Sequence, residues 1–346
     1  MRLLIYYYIY ISISSDYTSH KNLTRTVIDN INVPYRFAPI SDDSLDIIDD
    51  NGNILVKIKD AFDSSMPLSA HEYSRYVTMD YNLQILDEDG NIGFAILNGL
   101  AITNQRLSGK KLSILGDSIS TYENYIPNGY AVYYPRGDLD NVEKTWWRKL
   151  ARELNMTILK NASWSGSRVT GNSQGSTAAA GCSDIRISDL AGDNGDTPDI
   201  IIVYISTNDW NGGVPVGTFT NKDIIPEEGT ISEISKAYAL MLYKIRTTYP
   251  DAYVYCVTSL EGRSTNGDTT YPIVNSSGET IHDVNHAIIE IAHIFGCQVI
   301  DLNISGIHYW NVFKYTVDGR LHPNEAGAEI IKEVIKQQLL ITYHNM

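Results

Sequence analysis

From Lys111 onward the sequence alternates short apolar runs with longer amphipathic stretches, and this alternation restricts the possible folds more than any other feature. Five apolar runs have the length expected of buried strands. They are Leu112–Leu115, Thr157–Leu159, Ile200–Ile205, Tyr253–Val257 and Val299–Leu302. Because strands that alternate with helices form βαβ units, the pattern predicts an α/β fold, with a five-stranded parallel sheet covered by helices on both faces.

Helical periodicity fills the intervals between these strands. One predicted helical face comprises Ile231, Ile234, Tyr238, Leu242 and Ile245, and another comprises Ile281, Val284, Ile288, Ile291 and Phe295. A last helix is predicted from about Glu325 to Leu340. Since ligands bind at the carboxyl ends of the strands in open parallel sheets, the polar residues that directly follow the strands are the candidate functional residues.

Residues 1–107 have a different pattern, and we predict that they form a small β-rich appendage to a domain at 108–346. Two segments place apolar runs on both sides of Asn51-Gly52 and of Asp89-Gly90. These dipeptides suit the type I′ turn of a β-hairpin. Two hairpins alone are only marginally stable in water. We therefore expect the appendage to pack on the larger domain, on Leu3–Ile13 or on another subunit, which leaves a homo-oligomer open.

The acidic balance of the chain limits its partners. The net charge is −14 and the sequence pI is about 4.9. Such a field repels phosphate backbones, so we expect no nucleic-acid partner. The three cysteines, Cys182, Cys256 and Cys297, are too few and too far apart to indicate a disulfide scaffold, a zinc site or a redox motif.

The N-terminus allows two interpretations. Leu3–Ile13 is apolar and follows Arg2, as in the apolar region of a signal peptide, but it lacks a small-residue cleavage pattern. The alternation of Ile9, Ile11 and Ile13 with polar residues fits a β-strand equally well. No other stretch is long enough to span a bilayer, so we expect no membrane span. An extracellular or cell-surface location is favoured over the cytoplasm.

Each informative polar motif follows a predicted strand. Gly116-Asp117-Ser118 follows the first, Ser165-Gly166-Ser167 the second, and Ser206-Thr207-Asn208-Asp209 the third. Asp318-Gly-Arg-Leu-His322-Pro323-Asn324 follows the fifth, directly before the last helix. A serine hydroxyl becomes a good nucleophile only when a base removes its proton, and the resulting oxyanion needs hydrogen-bond donors. These four motifs would supply a nucleophile, donors and a base together with a carboxylate that orients it.

The order of these motifs resembles the four sequence blocks of the SGNH (GDSL-like) hydrolases, over roughly Lys110 to Leu340. The resemblance implies a flavodoxin-like three-layer α/β/α sandwich and a serine esterase that needs no metal or organic cofactor. It implies that Ser118 is the nucleophile, His322 the base and Asp318 its carboxylate partner. It also implies an oxyanion hole formed by the Ser118 N–H, the Gly166 N–H and the Asn208 side chain.

Two positions depart from the pattern of this family. Ser206 stands where the family usually has glycine, which would crowd the backbone while leaving Asn208 in place. Asp318 precedes His322 by four residues instead of the usual three. Either the loop absorbs the extra residue, or a backbone carbonyl orients His322 and the pair works as a dyad.

Aromatic residues near the motifs are candidates for substrate binding. Trp164 and Trp210 each lie within two residues of a proposed oxyanion donor. Trp146 and Trp147 open the helix that follows the nucleophile loop; adjacent helical positions point about 100° apart, so one of them, taken as Trp146, could line the cleft. Asp117, next to the nucleophile, completes this set. Aromatic faces suit sugar rings, which favours a carbohydrate O-acetyl ester as the substrate.

No metal site is expected. His282 and His286 have the spacing of a metal-binding pair on a helix, but no carboxylate motif accompanies them, so a solvated helix face is the simpler interpretation.

Other functions stay open at this stage. The family also includes lipases, arylesterases and thioesterases, and the fold does not determine the substrate. A non-catalytic glycan-binding protein on the same scaffold is disfavoured, because such a binder would be expected to have lost part of the Ser118, Asn208 and His322 set. The substrate is therefore predicted to be an acyl ester, either a small molecule or a polysaccharide.

Overall fold

A computed structural model describes residues 107–171, 180–229, 231–263 and 270–343, together with the backbone of nine strands between residues 5 and 103. The chain divides into two compact units, Met1–Gln105 and Arg106–Met346. The sequence analysis placed the boundary between residues 107 and 108. No helix among the described residues has both the length and the apolar character needed to cross a membrane.

The strands described in the first unit are short and pair antiparallel. They are β1 Ile5–Tyr7, β2 Thr24–Thr26, β3 Tyr35–Ser41, β4 Ser44–Asp49, β5 Ile54–Ile58, β6 Val77–Thr78, β7 Asn82–Leu86, β8 Ile92–Leu97 and β9 Leu100–Thr103. Strand β4 pairs with β5, and β7 pairs with β8, as the two predicted hairpins require. The turn residues Asn51-Gly52 and Asp89-Gly90 lie outside the described residues, as does most of the Leu3–Ile13 segment.

The second unit is built on a five-stranded parallel sheet, as predicted. Its strands are β10 Lys111–Gly116, β11 Thr157–Asn161, β12 Ile200–Tyr204, β13 Tyr253–Val257 and β14 Gln298–Ile300. They lie side by side in the order β11-β10-β12-β13-β14. Counted from β10, this is the 2-1-3-4-5 order of flavodoxin-like sheets.

Helices cover the sheet. They are α1 Trp146–Glu153, α2 Asp184–Ser188, α3 Thr207–Asn211, α4 Ile234–Thr248, α5 Ile281–Ile294 and α6 Glu325–Thr342. The predicted apolar faces of α4 and α5 are buried in one core with Val203 and Cys256 of the sheet. All five residues of β12 are buried, which explains why this central strand is an uninterrupted apolar run.

The order of the strands determines where the site forms. From β10 the sheet extends in opposite directions, with β11 on one side and β12 on the other. A crevice opens between the carboxyl ends of two strands where the order reverses in this way. Ser118 follows β10 and Asn208 follows β12, so the nucleophile motif and the Asn-Asp motif flank this switch point.

Candidate active site

The candidate nucleophile lies in a tight turn directly after β10. Ser118–Ser120 form a single 3₁₀ turn, and the Asp117 side chain caps it by accepting the N–H of Ile119 at 3.0 Å. A Cβ on Gly116 would lie 2.6 Å from Oγ of Ser163. The strand end therefore requires glycine at this position, because any side chain would separate the nucleophile turn from the segment after β11.

A continuous set of hydrogen bonds joins Ser118, His322 and Asp318. Oγ of Ser118 lies 2.8 Å from Nε2 of His322, and Nδ1 of His322 lies 2.6 Å from Oδ2 of Asp318. With Nδ1 protonated and donating to the carboxylate, Nε2 is left free to accept the hydroxyl proton. The arrangement can therefore turn a serine hydroxyl into a nucleophile.

The four-residue spacing between Asp318 and His322 is absorbed by the loop itself. Gly319 adopts a left-handed conformation with φ of 72°. The backbone N–H groups of Arg320, Leu321 and His322 then all donate to Oδ1 of Asp318, at 3.0, 2.9 and 3.2 Å. Oδ2 is left for the imidazole, so the carboxylate reaches His322 despite the extra residue.

These contacts also set the charge of Asp318. Burial opposes ionisation of the carboxyl, but the hydrogen bonds from the His322 side chain and from the backbone N–H groups of Leu321 and Arg320 outweigh it. The pKa of Asp318 is consequently lowered from its ordinary value. The carboxylate facing the imidazole is therefore charged at neutral pH, as an orienting partner of a histidine base must be.

Two tyrosines, whose role the sequence analysis missed, hold His322 in place. The Tyr133 ring stacks on the His322 imidazole, with centroids 3.6 Å apart and an interplanar angle of 11°. The hydroxyl of Tyr134 donates to the Pro323 carbonyl at 2.6 Å. Both tyrosines come from the long loop between β10 and α1. A tyrosine pair in a loop carries no sequence signal for this role, since the loop must first fold back on the histidine.

Hydrogen bonds connect the two segments that contain the other candidate oxyanion donors, Gly166 and Asn208. The N–H of Trp164 donates to the Gly116 carbonyl at 3.0 Å, which holds the Gly166 segment beside the nucleophile strand. Gly166 has a φ of 77°, a left-handed conformation that glycine tolerates best. Nδ2 of Asn208 donates to the Ser167 carbonyl at 3.0 Å. An amide nitrogen carries two hydrogens, so this bond can position Asn208 and still leave one N–H for a ligand.

Asp209 fastens the same two segments together. This buried carboxylate accepts the N–H of Val169 at 2.8 Å, and the N–H and hydroxyl of Thr170 at 3.0 and 2.6 Å. Burial is the dominant influence on Asp209 and raises the pKa of its carboxyl. The Asp of the Asn-Asp pair is thus a tether between α3 and the Gly166 loop.

Ser206 stands where the SGNH pattern has glycine, and its backbone has a conformation that favours glycine. Its φ is 144° and its ψ is −18°, a combination that L residues rarely adopt. The Ser206 hydroxyl shares a 3.0 Å hydrogen bond with the Ser259 hydroxyl, which also accepts from Thr207 at 2.9 Å. The backbone two residues before Asn208 is therefore strained.

A buried arginine that the sequence analysis did not single out joins the ends of two strands. Arg186 of α2 is fully buried; its Nε donates to the Ala162 carbonyl at 3.0 Å, and its Nη2 donates to the Gly116 carbonyl at 2.7 Å. Those carbonyls lie at the ends of β11 and β10, next to the Gly166 and Ser118 motifs. Arg186 therefore fixes the spacing between the nucleophile turn and the loop of the candidate donors.

Two candidate substrate-binding residues are inaccessible. Asp117 is buried beneath the nucleophile turn, where burial raises the pKa of its carboxyl to about 7 although the Arg186 charge opposes the shift. Trp146 is 1% exposed; its Nε1 donates to Oγ of Ser120, and its ring lies 6.2 Å from that of Tyr204 on the sheet. In this structure, neither side chain can contact a ligand, because both are enclosed between the nucleophile turn and the core.

The other two tryptophans lie nearer the surface of the site. Trp164 is half-buried and stacks on Tyr130, with ring centroids 4.1 Å apart. Trp210 is largely buried, donates its Nε1 to the Glu279 carbonyl at 2.9 Å, and lines a small pocket together with Thr207 and Leu321. Those two residues neighbour Asn208 and His322, so this pocket adjoins the candidate site.

Each histidine of the pair on α5 lies near one acidic side chain. Nε2 of His282 lies 3.3 Å from Glu261, and exposed His286 lies 3.7 Å from Glu290. Within the residues that the structure describes, no group of three or more His, Cys, Asp and Glu side chains is arranged to hold a metal ion.

The comparison with protein families gives one match. The model of the family described as GDSL-like Lipase/Acylhydrolase matches residues 110–339. That range begins at β10 and ends within α6, so it includes every residue of the candidate site. None of the curated proteins compared with this chain matches it.

Solved structures share the same fold. A protein described as a GDSL-like lipase from Bacteroides ovatus ATCC 8483 is 27% identical and covers 68% of this chain and 100% of its own, with a TM-score of 0.51. Another, from Bacteroides uniformis ATCC 8492, is 25% identical and covers 67% of this chain and 95% of its own, with a TM-score of 0.50. A Lactobacillus plantarum protein at 21% identity, with a TM-score of 0.51, covers 68% of this chain and 99% of its own, and supports the fold alone.

Proposed function

Since the chain belongs to the GDSL-like lipase/acylhydrolase family and is therefore a hydrolase of ester bonds, we propose that it works through an acyl-enzyme formed on Ser118. The observation that carries the proposal is the hydrogen-bonded series from Ser118 through His322 to Asp318. It supplies a nucleophile, a base within reach of its proton, and a carboxylate that selects the productive tautomer of the base.

The first half-reaction forms the acyl-enzyme. Oγ of Ser118 attacks the ester carbonyl while its proton moves to Nε2 of His322, and the charged Asp318 stabilises the imidazolium that results. The tetrahedral intermediate then collapses as the bond to the alcohol oxygen breaks, and Nε2 returns the proton to the departing alcohol. In the second half-reaction, water takes the place of the alcohol, and the same steps release the carboxylic acid and restore Ser118.

The oxyanion of each tetrahedral intermediate needs preorganised donors. The backbone N–H groups of Ser118 and Gly166 and the second amide hydrogen of Asn208 fill this role in the proposal. The tethers made by Asp209 and Arg186 support it, because donors that are already held in place do not have to reorganise during the reaction.

We propose a carbohydrate O-acetyl ester as the substrate. The stacked pair of Tyr130 and Trp164 supports this assignment, because it places aromatic surface beside the segment that contains Gly166. The alternative is a lipase, arylesterase or thioesterase that acts on small acyl esters. A glycan-binding protein without activity is disfavoured by the complete hydrogen-bonded set.

The first unit has a separate role in this proposal. Residues 1–107 contain none of the proposed catalytic residues, so we assign to them polymer docking or assembly of a homo-oligomer. The antiparallel strand pairs of this unit are compatible with either role.

The mechanism is tested with Ser118→Ala and with Ser188→Ala as a matched control on an exposed serine of α2. Ser118→Ala should lose all hydrolysis of p-nitrophenyl acetate and all labelling by a fluorophosphonate, with a nearly unchanged melting temperature. Ser188→Ala should behave as wild type. Residual activity within tenfold of wild type would remove Ser118 from the nucleophile role.

The substrate class is tested by comparing acetylated sugars with p-nitrophenyl esters of increasing acyl length. A carbohydrate acetylesterase should release acetate from the sugars and lose activity as the acyl chain lengthens. A preference for long acyl chains, with no release of acetate from any sugar, would favour the lipase alternative.

A further inference from the structure

Three large aromatic side chains are exposed together on one surface of the second unit. Trp310 is 57%, Phe313 48% and Tyr271 42% exposed. We call these three residues the aromatic platform. The Tyr271 and Trp310 rings are 4.5 Å apart, and both contact the buried ring of Tyr309 beneath them, at 5.2 and 5.6 Å. Apolar residues exposed in a group, as opposed to singly, mark a binding surface more often than chance.

The backbone under the platform is held rigidly. His308 and Asn311 close a turn in which the His308 N–H donates to the Asn311 side chain at 2.8 Å, and the Asn311 N–H donates back to the His308 carbonyl at 3.0 Å. Val312 anchors this turn in the core. The backbone that carries Trp310 is thus held in place before any ligand arrives, which lowers the entropy cost of binding.

The platform is joined to the loop that contains the proposed base. Arg263 connects the two: its N–H donates to the Arg320 carbonyl at 3.0 Å, and its Nε donates to the Tyr309 carbonyl at 3.2 Å. Its guanidinium also lies over the rings of Tyr309 and Phe313, at 5.1 and 5.6 Å. Arg320 is two residues before His322 in the sequence, so about one arginine side chain separates the platform from the His322 loop.

The lining of the pocket beside the candidate site includes the connecting arginine. Thr207 and Trp210 line one part of it, and Arg263 and Arg320 line another. The lining residues therefore lead from the neighbourhood of Asn208 to the arginine on which the platform rests.

The chemistry around the rings selects the kind of ligand. Glu261, His308 and Lys314 border the platform, so hydrogen-bonding groups surround an apolar centre. A pyranose has the complementary pattern, with apolar C–H faces and hydroxyl groups at its rim. An acyl chain has no polar rim and would form no hydrogen bonds with these groups.

We propose that the aromatic platform binds pyranose rings of the polysaccharide that carries the scissile ester. This proposal rests on the esterase function above and deepens it, because it assigns a second contact to the polymeric alcohol. The platform contacts the polymer at a distance from Ser118, so it contributes to binding of the polymer and not to the chemistry of the ester bond.

The test compares Trp310→Ala and Tyr271→Ala with Tyr243→Ala. Tyr243 is a matched control, because it is 44% exposed and lies in the C-terminal half of α4, away from the carboxyl edge of the sheet. Initial rates are measured on p-nitrophenyl acetate and on chemically acetylated xylan, mannan and pectin. Trp310→Phe shows whether another aromatic ring restores binding.

Each platform variant should raise KM on at least one polymer about threefold to tenfold, the usual contribution of one aromatic stacking contact. The kcat on that polymer and both constants on p-nitrophenyl acetate should stay within twofold of wild type, and Trp310→Phe should recover most of the loss. Tyr243→Ala should match wild type throughout.

Two results would refute the proposed role of the aromatic platform without refuting the proposed esterase function. One is an unchanged KM for all three polymers in both platform variants, and the other is a wild-type protein that cleaves p-nitrophenyl acetate but none of the polymers. A wild-type protein inactive on every ester would instead refute the proposed function itself, so the two failures are distinguishable.

Discussion

The substitution Asp318→Asn tests the proposed mechanism most directly, because the hydrogen bonds of the loop determine the orientation of the new amide group. Three backbone N–H groups, those of Arg320, Leu321 and His322, donate to Oδ1. They require an acceptor, so the oxygen of the amide should occupy this position. Its NH₂ group must then replace Oδ2, 2.6 Å from Nδ1 of His322.

This orientation forces the imidazole into the unproductive tautomer. An NH₂ group at that position donates, so Nδ1 of His322 must become the acceptor and the proton must move to Nε2. A protonated Nε2 would donate to the Ser118 hydroxyl, 2.8 Å away, and could no longer accept its proton. A wrong tautomer in a triad of this kind lowers kcat by about 10³–10⁴, which corresponds to about 4–5 kcal/mol of transition-state stabilisation.

The assay is the steady-state hydrolysis of p-nitrophenyl acetate, with Asp301→Asn as a matched control. Asp301 also accepts a backbone N–H, that of Asn303 at 3.0 Å, but its described hydrogen bonds do not include a histidine. The control should keep kcat within about threefold of wild type, while Asp318→Asn should keep its fold by circular dichroism and lose nearly all activity. A loss of less than about fivefold in Asp318→Asn, beside an inactive His322→Ala, would refute the reasoning and identify a Ser118–His322 dyad.

Four further predictions concern the residues around the Ser118–His322–Asp318 series and the first unit. Asn208→Ala should lower kcat about 10²- to 10³-fold with little change in KM if the amide stabilises the oxyanion; a change confined to KM would assign Asn208 to substrate binding. Ser206→Gly should unfold at a higher temperature than Ser206→Ala, since both lose the hydroxyl but only glycine relieves the strain at φ of 144°, about 1–3 kcal/mol; the reverse order would contradict that strain. Because burial raises the Asp117 pKa from 3.8 to about 7, the folded state holds a proton that the unfolded state releases, and the free energy of unfolding should fall as pH rises between these values. Urea titrations at pH 5 and pH 7.5 should show that Asp117→Asn reduces this dependence of the free energy of unfolding on pH. An unchanged dependence would refute the assignment. A chain starting at Ser108 should still hydrolyse p-nitrophenyl acetate but lose activity on an acetylated polysaccharide or change its mass in light scattering, whereas a folded but inactive chain would show that residues 1–107 help to form the site.

The fold of the second unit could be predicted from local patterns. Five apolar runs and the helical periodicity between them are enough to specify a parallel sheet, because strands that alternate with helices have few other ways to bury their apolar faces. The same reasoning located the Ser118, Gly166 and Asn208 motifs after successive strands and the His322 motif directly before the last helix. Their common edge follows from the parallel arrangement of the strands.

The two tryptophans at the start of α1 show where local reasoning stops. Their side chains do diverge, since Trp146 meets Tyr204 on the sheet and Trp147 meets Tyr125 of the loop after the nucleophile turn, at 6.1 Å. Divergence suggested that one of them would be accessible. Both are buried, since Trp146 faces the sheet and the loop covers Trp147.

What the sequence alone determined is therefore the set of elements and the order of the motifs, which depend on residues within a few positions of one another. Only the tertiary structure decided which side chains support those motifs. Arg186 resembles any surface arginine until the folded chain brings it against the Ala162 and Gly116 carbonyls at the ends of β11 and β10. Tyr133 resembles any loop tyrosine until it stacks on His322. The physical reason is that burial and hydrogen bonding between residues far apart in the chain depend on how the completed elements pack, and the periodicity of a sequence contains no record of that packing.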